Sequence, residues 1–159
     1  MKKALIILLL TVISYSQDLS LSGFLNKLSL QESKGNYYVI GGAGGNYIGK
    51  YQFSNIVLRE IGWGHITVSK FKADKSIFPP EKQEEAMLLL LERYRYYLSK
   101  EINKYTEKYF NGIYITEAGI LAAVHGVGYP EVKAYFSGRS SKPTVIQKYL
   151  KQFSAYSIS

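Results

Sequence analysis

A glycine-rich segment interrupts a chain that is otherwise patterned for helices. Residues 41–45 read GGAGG, and they lie between two short runs of strand-forming residues, 36–40 and 46–48. Consecutive glycines do not sustain a helix, whereas strand formers on both sides of a glycine-rich turn are typical of a β-hairpin. The sequence therefore predicts one small hairpin that joins two helical parts of the chain.

The helix predicted before the hairpin, residues 19–33, ends in a carboxyl group. Leu21, Leu25 and Leu28 recur at spacings of four and three, and Glu32 follows four residues later on the same stripe. A carboxyl group at the end of an apolar stripe loses part of its hydration, which raises its pKa and lets it donate a proton near neutrality. The alternative is that Glu32 points into solvent at the end of the helix.

Capping residues and prolines predict five further helices. Ser54 and Thr116 are suited to cap helices that run through residues 61 and 127, and prolines open helices at residues 80, 130 and 143. The apolar residues of the first of these helices are expected to face inward: Ile56, Val57, Leu58 and Ile61. We expect a loop with one helical turn over residues 66–78, and an end to the long helix before Asn111. The predicted fold class is mainly α.

Three segments resemble the catalytic motifs of the lysozyme-like lytic transglycosylases, a superfamily that includes the goose-type lysozymes. Residues 32–37 read ESKGNY, where the family has Glu-Ser-x-Gly. Residues 49–53 read GKYQF, which fits Gly-hydrophobic-x-Gln-hydrophobic, and the next helix ends in LREIG at residues 58–62, close to the family's Glu-Leu-Gly. The third segment, residues 122–128, reads AAVHGVG against Ala-Ala-Tyr-Asn-Ala-Gly.

The resemblance covers roughly residues 20–136, with Val124 in place of the family tyrosine and His125 in place of the asparagine. It implies a lysozyme-like helical domain with the β-hairpin beside an active-site cleft, and it makes Glu32 the catalytic acid. The substrate would be the glycan strand of peptidoglycan, cut at the β-1,4 bond between N-acetylmuramic acid and N-acetylglucosamine. The residues expected to contact this substrate are Ser33, Tyr47, Tyr51, Gln52 and His125.

The isolation of Glu32 bears on the product. Glycosidases that use protein carboxylates place a second one about 5 to 10 Å from the first, as nucleophile or as base for water. Residues 33–59 contain no Asp or Glu, and the family counterpart of Glu60 is not catalytic. One carboxyl group suffices if the sugar's own 6-hydroxyl attacks, which leaves a 1,6-anhydro end. Two alternatives stay open: a muramidase that hydrolyses the same bond, and a non-catalytic cell-wall binding module.

The amino-terminal segment has the layout of a secretory signal. Lys2 and Lys3 precede an apolar run, residues 4–13, and small residues follow before Gln17. Ten apolar residues are too few to span a bilayer, and no cysteine offers a lipid attachment site. We predict a signal peptide over residues 1–16, a single domain over residues 17–159, and a periplasmic or secreted protein without stable membrane insertion. A retained membrane anchor is the alternative.

Charge and composition favour the cell wall over other anionic partners. Of the 20 basic side chains, Lys2 and Lys3 belong to the signal, which leaves 18 basic and 12 acidic side chains and a formal charge of +6. A positive surface suits an anionic polymer, and without a basic block or RNA-binding signature no nucleic acid is predicted. The domain is expected to act as a monomer.

Neither a metal nor a cofactor is predicted. The chain has two histidines, His65 and His125, and no cysteine, so a zinc site lacks its usual ligands. Residues 44–50 match the G-x-x-x-x-G-K pattern of a phosphate-binding loop. However, Tyr51 follows where that loop needs a hydroxyl for magnesium, and no parallel βαβ pattern surrounds it.

Overall fold

Eight α-helices and two short β-hairpins make up the part of the chain that the computed structural model describes, residues 18–158. The predicted signal peptide, residues 1–16, lies outside the described residues. The helices are α1 (Leu21–Ser33), α2 (Asn55–Glu60), α3 (Val68–Ala73), α4 (Pro80–Tyr97), α5 (Ser99–Tyr105), α6 (Glu117–Val127), α7 (Tyr129–Phe136) and α8 (Pro143–Gln152). A mainly helical fold with a small hairpin is thus confirmed.

The two hairpins are antiparallel pairs of two-residue strands. In the first, β1 (Ile40–Gly41) pairs with β2 (Tyr47–Ile48), as the glycine-rich turn predicts, although the paired strands are shorter than the strand-forming runs. The second, β3 (Tyr109–Phe110) with β4 (Ile113–Tyr114), was not predicted. Its turn residues, Asn111 and Gly112, both have a positive φ, which is the conformation that a two-residue hairpin turn requires.

Helix α6 lies at the centre of the core. Residues 118–124 are all buried, and Thr116 caps the helix by accepting a hydrogen bond from the N–H of Gly119. Helices α4, α7 and α8 pack around it. A helix without a polar face is stable only when neighbours cover it on every side, so α6 requires this arrangement.

Helix α1 packs against the carboxyl end of α8. The ring of Phe24 packs edge-on against Phe153 with centroids 5.4 Å apart, and Lys27 Nζ donates to the carbonyl of Gln152 at 2.7 Å. Leu28 is fully buried one turn further along. These contacts fix the direction of α1 and therefore the position of its last turn, which contains Glu32.

The capping predictions for α2 and α6 are confirmed, and three details of the helix predictions are wrong. The long helix expected to end before Asn111 is divided at Leu98 into α4 and α5. Ile56 is 62% exposed, because α2 buries Leu58 and turns Ile56 to solvent. Residues 66–78 contain a helix, α3, capped by Thr67, followed by a short 3-10 turn. No helix within residues 18–158 is both long and apolar enough to cross a membrane.

Candidate active site

A cleft of about 540 Å³ opens between the first hairpin and the helical core. It is lined by hairpin β1–β2, by the carboxyl end of α6, and by side chains from α1, α2, α4 and α8. The lining residues are Glu32, Gly42, Tyr47, Gln52, Ser54, Val57, Tyr94, Val124, His125, Gly126, Val127, Gly128, Lys142 and Tyr149. The hairpin therefore lies beside the cleft that contains Glu32, as predicted.

Glu32 lies in the cleft as a partly buried carboxylic acid. Within the described residues it makes no hydrogen bond or ion pair, and burial raises its pKa from 4.5 to about 7. No neighbouring charge contributes to this shift. The direction of the shift agrees with the sequence prediction, and a solvent-facing Glu32 is not what the structure shows. A group with this pKa exists in both protonation states near neutral pH.

The end of α1 determines where the chain goes after Glu32. Lys34 adopts a left-handed conformation with φ of 57°, and the N–H groups of Lys34 and Gly35 bond back to the carbonyls of Leu30 and Ser29. This pattern closes the helix and turns the chain toward the hairpin. Ser33 then donates its hydroxyl to the carbonyl of Lys50 at 2.7 Å. Ser33 thus joins α1 to the loop after the hairpin and does not line the cleft.

Tyr51 is fully buried and does not line the cleft. It donates to Glu84 at 2.7 Å, and Lys50 and Tyr37 bind the same carboxylate at 2.7 Å each. Burial alone would raise the pKa of Glu84, but the hydrogen bonds from these three residues outweigh burial and lower it. Because its hydroxyl is committed to α4, the geometry does not support ligand contact by Tyr51.

Gln83 fixes the same loop from α4. Its side chain is fully buried and makes three hydrogen bonds to the main chain. Oε1 accepts from the N–H of Lys50 at 2.7 Å, and Nε2 donates to the carbonyls of Tyr37 at 2.9 Å and Phe78 at 2.7 Å. A buried amide with this many partners holds the backbone of residues 49–52 in one position.

Gln52 lies in the cleft, as the resemblance implies. Its backbone is left-handed, with φ of 54°, and Nε2 donates to the carbonyl of Gly49 at 2.9 Å. The amide packs directly on Gly41 of β1, where any Cβ would overlap Gln52 Oε1. Tyr47 also lines the cleft from the hairpin and is 42% exposed. These two side chains are therefore available to a ligand.

His125 of α6 lines the cleft in its neutral form. Nε2 lies 2.9 Å from the carbonyl of Tyr51 and must carry the proton, because a carbonyl can only accept. Burial lowers the pKa of His125 to about 4, and the bond to Tyr51 offsets only part of that effect. Nδ1 is then an unprotonated acceptor, buried without a partner among the described residues. His125 joins α6 to the loop that presents Gln52.

Two tyrosines near Glu32 were not among the predicted site residues. Burial is the main cause that raises the pKa of Tyr149, and the charge of Glu32 adds to it; for Tyr94 burial also leads, followed by the charges of Glu60 and Glu32. The Tyr149 ring approaches Gly126 so closely that a Cβ there would overlap it. The glycine in AAVHGVG, four residues after Ala122, is a sequence signal for this close approach.

The described lining contains a single carboxylic acid, Glu32. Glu60 is outside the lining and does not contribute to the pKa of Glu32. Within residues 18–158, no three His, Asp or Glu side chains are grouped to hold a metal ion. The arrangement can therefore donate and then accept one proton at Glu32, beside neutral polar groups that suit hydroxyl and amide substituents.

No protein-family model, curated protein or solved structure matches this chain. Function is therefore inferred from the geometry of the cleft and from the motif resemblance alone.

Proposed function

We propose that this protein is an exported peptidoglycan lytic transglycosylase with a lysozyme-like domain. It would cleave the β-1,4 bond between N-acetylmuramic acid and N-acetylglucosamine and leave a 1,6-anhydro-N-acetylmuramic acid end. The observation that carries the proposal is the lone, partly buried Glu32, whose pKa is about 7, in a cleft with no second carboxylate in its described lining. The motif resemblance supplies the substrate class.

The reaction balances with one carboxyl group. Protonated Glu32 gives its proton to the glycosidic oxygen as the bond from C1 of N-acetylmuramic acid to that oxygen breaks, and the N-acetylglucosamine leaves with a free 4-hydroxyl. The Glu32 carboxylate then takes the proton from the 6-hydroxyl of the same muramic acid residue as O6 bonds to C1. Glu32 ends protonated, and no water is consumed. A pKa near 7 suits a group that acts first as acid and then as base.

The remaining cleft residues would hold the sugar. Tyr47 offers an exposed ring on the hairpin wall, and Gln52 offers an amide oxygen that accepts no hydrogen bond from the described residues. His125 stands where the family has asparagine; because its Nδ1 is buried and its Nε2 bonds to the Tyr51 carbonyl, it contributes by holding the loop that presents Gln52. Ser33 and Tyr51 contribute indirectly, because their hydroxyls fix the loop between α1 and α4.

Mass spectrometry of purified sacculi digested by the protein tests the proposal. We expect soluble fragments with 1,6-anhydro ends, which are lighter by one water per cut than the reducing ends of a hydrolase. The Glu32→Gln variant should keep the fold, as judged by circular dichroism, and lose activity about a hundredfold or more. Reducing muramic acid ends would identify a muramidase, and binding without soluble fragments would identify a cell-wall binding module.

A further inference from the structure

Lys142 introduces a positive charge into an otherwise neutral cleft. Among the described residues of the lining, Glu32 and Lys142 are the two that carry ionisable charge at neutral pH. Glu32 must be protonated before it can act as an acid, and His125 is neutral because burial lowers its pKa to about 4. In the form that begins the proposed reaction, the cleft therefore has a net positive charge, located at Lys142.

The loop that presents Lys142 is held in place by Glu131 of α7. Its carboxylate accepts hydrogen bonds from the hydroxyls of Ser140 and Ser141, at 2.7 and 2.9 Å, and from the N–H of Ser141 at 3.2 Å. The N–H of Lys142 itself bonds to Ser140 Oγ at 3.0 Å, immediately before α8 begins. Lys142 therefore projects from a fixed backbone at the edge of the cleft.

The ammonium group of Lys142 pairs with no acidic side chain of the described residues. It makes no ion pair within 4 Å in the part of the chain that the structure describes, and its side chain is exposed. The charge of Lys142 does affect the pKa of Glu131. The hydrogen bonds from Ser140 and Ser141 are the main causes that lower this pKa, and the charge of Lys142 is the smallest cause. Lys142 is thus free to bind an anion that occupies the cleft.

We propose that Lys142 binds a carboxylate on the substituent that N-acetylmuramic acid carries, and so selects muramic acid strands over neutral N-acetylglucosamine polymers. This inference rests on the proposed function. Both sugars of the strand are otherwise neutral, and the 3-O-lactyl group with its peptide is the part of the strand that bears carboxylates. A lysine at the rim of the cleft distinguishes the two polymers by charge, since a neutral polymer gains nothing from it.

Binding is measured with Glu32→Gln protein, so that no ligand is cut. The three ligands are peptide-bearing glycan strands, the same strands after amidase treatment, which bear a free lactyl carboxylate, and chitin oligosaccharides, which bear none. Lys142→Met and Lys142→Glu are compared with Lys148→Glu, which reverses an exposed charge of α8 outside the cleft lining. Circular dichroism and thermal melting check that each variant folds.

We expect Lys142→Met to weaken binding of carboxylated strands about two- to fivefold and Lys142→Glu about tenfold, in low salt. Chitin affinity should not change, Lys148→Glu should behave as its parent, and salt well above 0.1 M should remove most of the difference. A loss confined to peptide-bearing strands assigns the contact to a peptide carboxylate, and a loss confined to the amidase-treated strands assigns it to the lactyl carboxylate, which is an amide while the peptide is attached. A loss on both ligands means that Lys142 reaches a carboxylate in either position.

The two proposals fail in different ways. If unmodified protein cuts sacculi and the Lys142 variants bind all three ligands like their parent, only the inference is wrong. An equal loss on chitin and on muramic acid strands would also overturn it, because that pattern indicates damage to the cleft. If the protein neither cuts nor binds glycan of any kind, the proposed function is wrong and the inference falls with it.

Discussion

Glu32 and His125 line the same cleft, and burial shifts their pKa values in opposite directions. It raises the pKa of Glu32 from 4.5 to about 7 and lowers that of His125 from 6.5 to about 4. In both cases burial disfavours the charged form, and no described residue offers either side chain a partner of opposite charge. Each shift corresponds to about 3 kcal/mol between the charged and neutral forms.

The two shifts have opposite effects on stability as pH rises. Between pH 4.5 and 7, native Glu32 keeps a proton that the unfolded chain has released, so raising the pH destabilises the fold. Between pH 4 and 6.5, the unfolded chain holds a proton that native His125 has released, so raising the pH stabilises the fold. From pH 4.5 to 6.5 the two contributions oppose each other and largely cancel.

Single substitutions should reveal the contributions that cancel in the unmodified protein. Urea unfolding at pH 5.0 and 6.5 is expected to show that Glu32→Gln gains about 2 kcal/mol of stability with rising pH relative to the unmodified protein, whereas His125→Asn loses a similar amount. The double variant should follow the unmodified protein, which makes it the matched control. Parallel curves for all four proteins would show that neither pKa is shifted.

The sequence predicts the environment of Glu32 but not that of His125. The stripe that ends in Glu32 lies within a single helix, so local spacing is enough to place the carboxyl group against apolar side chains. The partner of His125 is a carbonyl 74 residues away, in Tyr51, and a side-chain pattern contains no information about a distant main-chain acceptor. For the same reason the sequence does not predict that the Tyr51 hydroxyl bonds to Glu84, which is 33 residues away, and not to a ligand in the cleft.

At the scale of elements, the loop of residues 49–52 depends on α4. Gln83 satisfies one N–H and two carbonyl groups of the surrounding main chain, and no other described residue bonds to that N–H of Lys50. The loop in turn supplies the Tyr51 carbonyl to His125 and places Gln52 in the cleft. A disturbance at Gln83 should therefore reach the cleft through the backbone.

Gln83→Leu keeps the size of the side chain and removes all three hydrogen bonds. We expect a loss of about 3 kcal/mol in the free energy of unfolding, because buried main-chain groups are left without partners. Hydrogen exchange at the N–H of Lys50 should become much faster. Glu81→Leu, on the exposed face of the same helix, is the control and should change neither quantity appreciably. If hydrogen exchange at the N–H of Lys50 is unchanged in Gln83→Leu, the loop of residues 49–52 keeps its conformation without Gln83.

The two hairpins show what a turn signal predicts. Five small residues between two runs of strand formers are sufficient to predict hairpin β1–β2. Asn111-Gly112 between Tyr109-Phe110 and Ile113-Tyr114 is an equally specific hairpin signal, since both turn positions need a positive φ. The same two residues also suit the end of a helix, which is the only feature predicted there from the sequence. Helix α3 is not predicted for a different reason: its six residues are too few to show an apolar periodicity.

At the scale of the whole molecule, α6 and α8 connect the core to the cleft. The composition of α6 predicts a buried helix, but periodicity does not say which helix covers which face. Gly119 and Gly126 mark the face toward α8: the first lies against the backbone of Leu150 and the second against the ring of Tyr149. Lys142 immediately precedes α8, so the position of this helix sets both the surroundings of Glu32 and the place of the charge at the edge of the cleft.

Alanine at these two glycines should have different consequences, although each change gains up to about 1 kcal/mol of helix propensity. A Cβ at Gly119 would lie 3.0 Å from the carbonyl oxygen of Leu150 and 3.1 Å from its Cα, and a backbone does not yield easily. Gly119→Ala is therefore expected to lower the free energy of unfolding by about 1 to 2 kcal/mol, net.

Gly126→Ala would meet only the far end of the Tyr149 side chain, which can rotate away. Stability should then stay within about 1 kcal/mol of the unmodified protein. Glu32, however, would lose a neighbour that shields it from water, so its pKa should fall from about 7 toward its usual value. Urea unfolding measures the first quantity, and NMR titration of the Glu32 carboxyl carbon measures the second. If the pKa of Glu32 is unchanged in Gly126→Ala, Tyr149 does not contribute to that pKa. If Gly119→Ala and Gly126→Ala lose the same stability, α8 moves as a unit at both contacts.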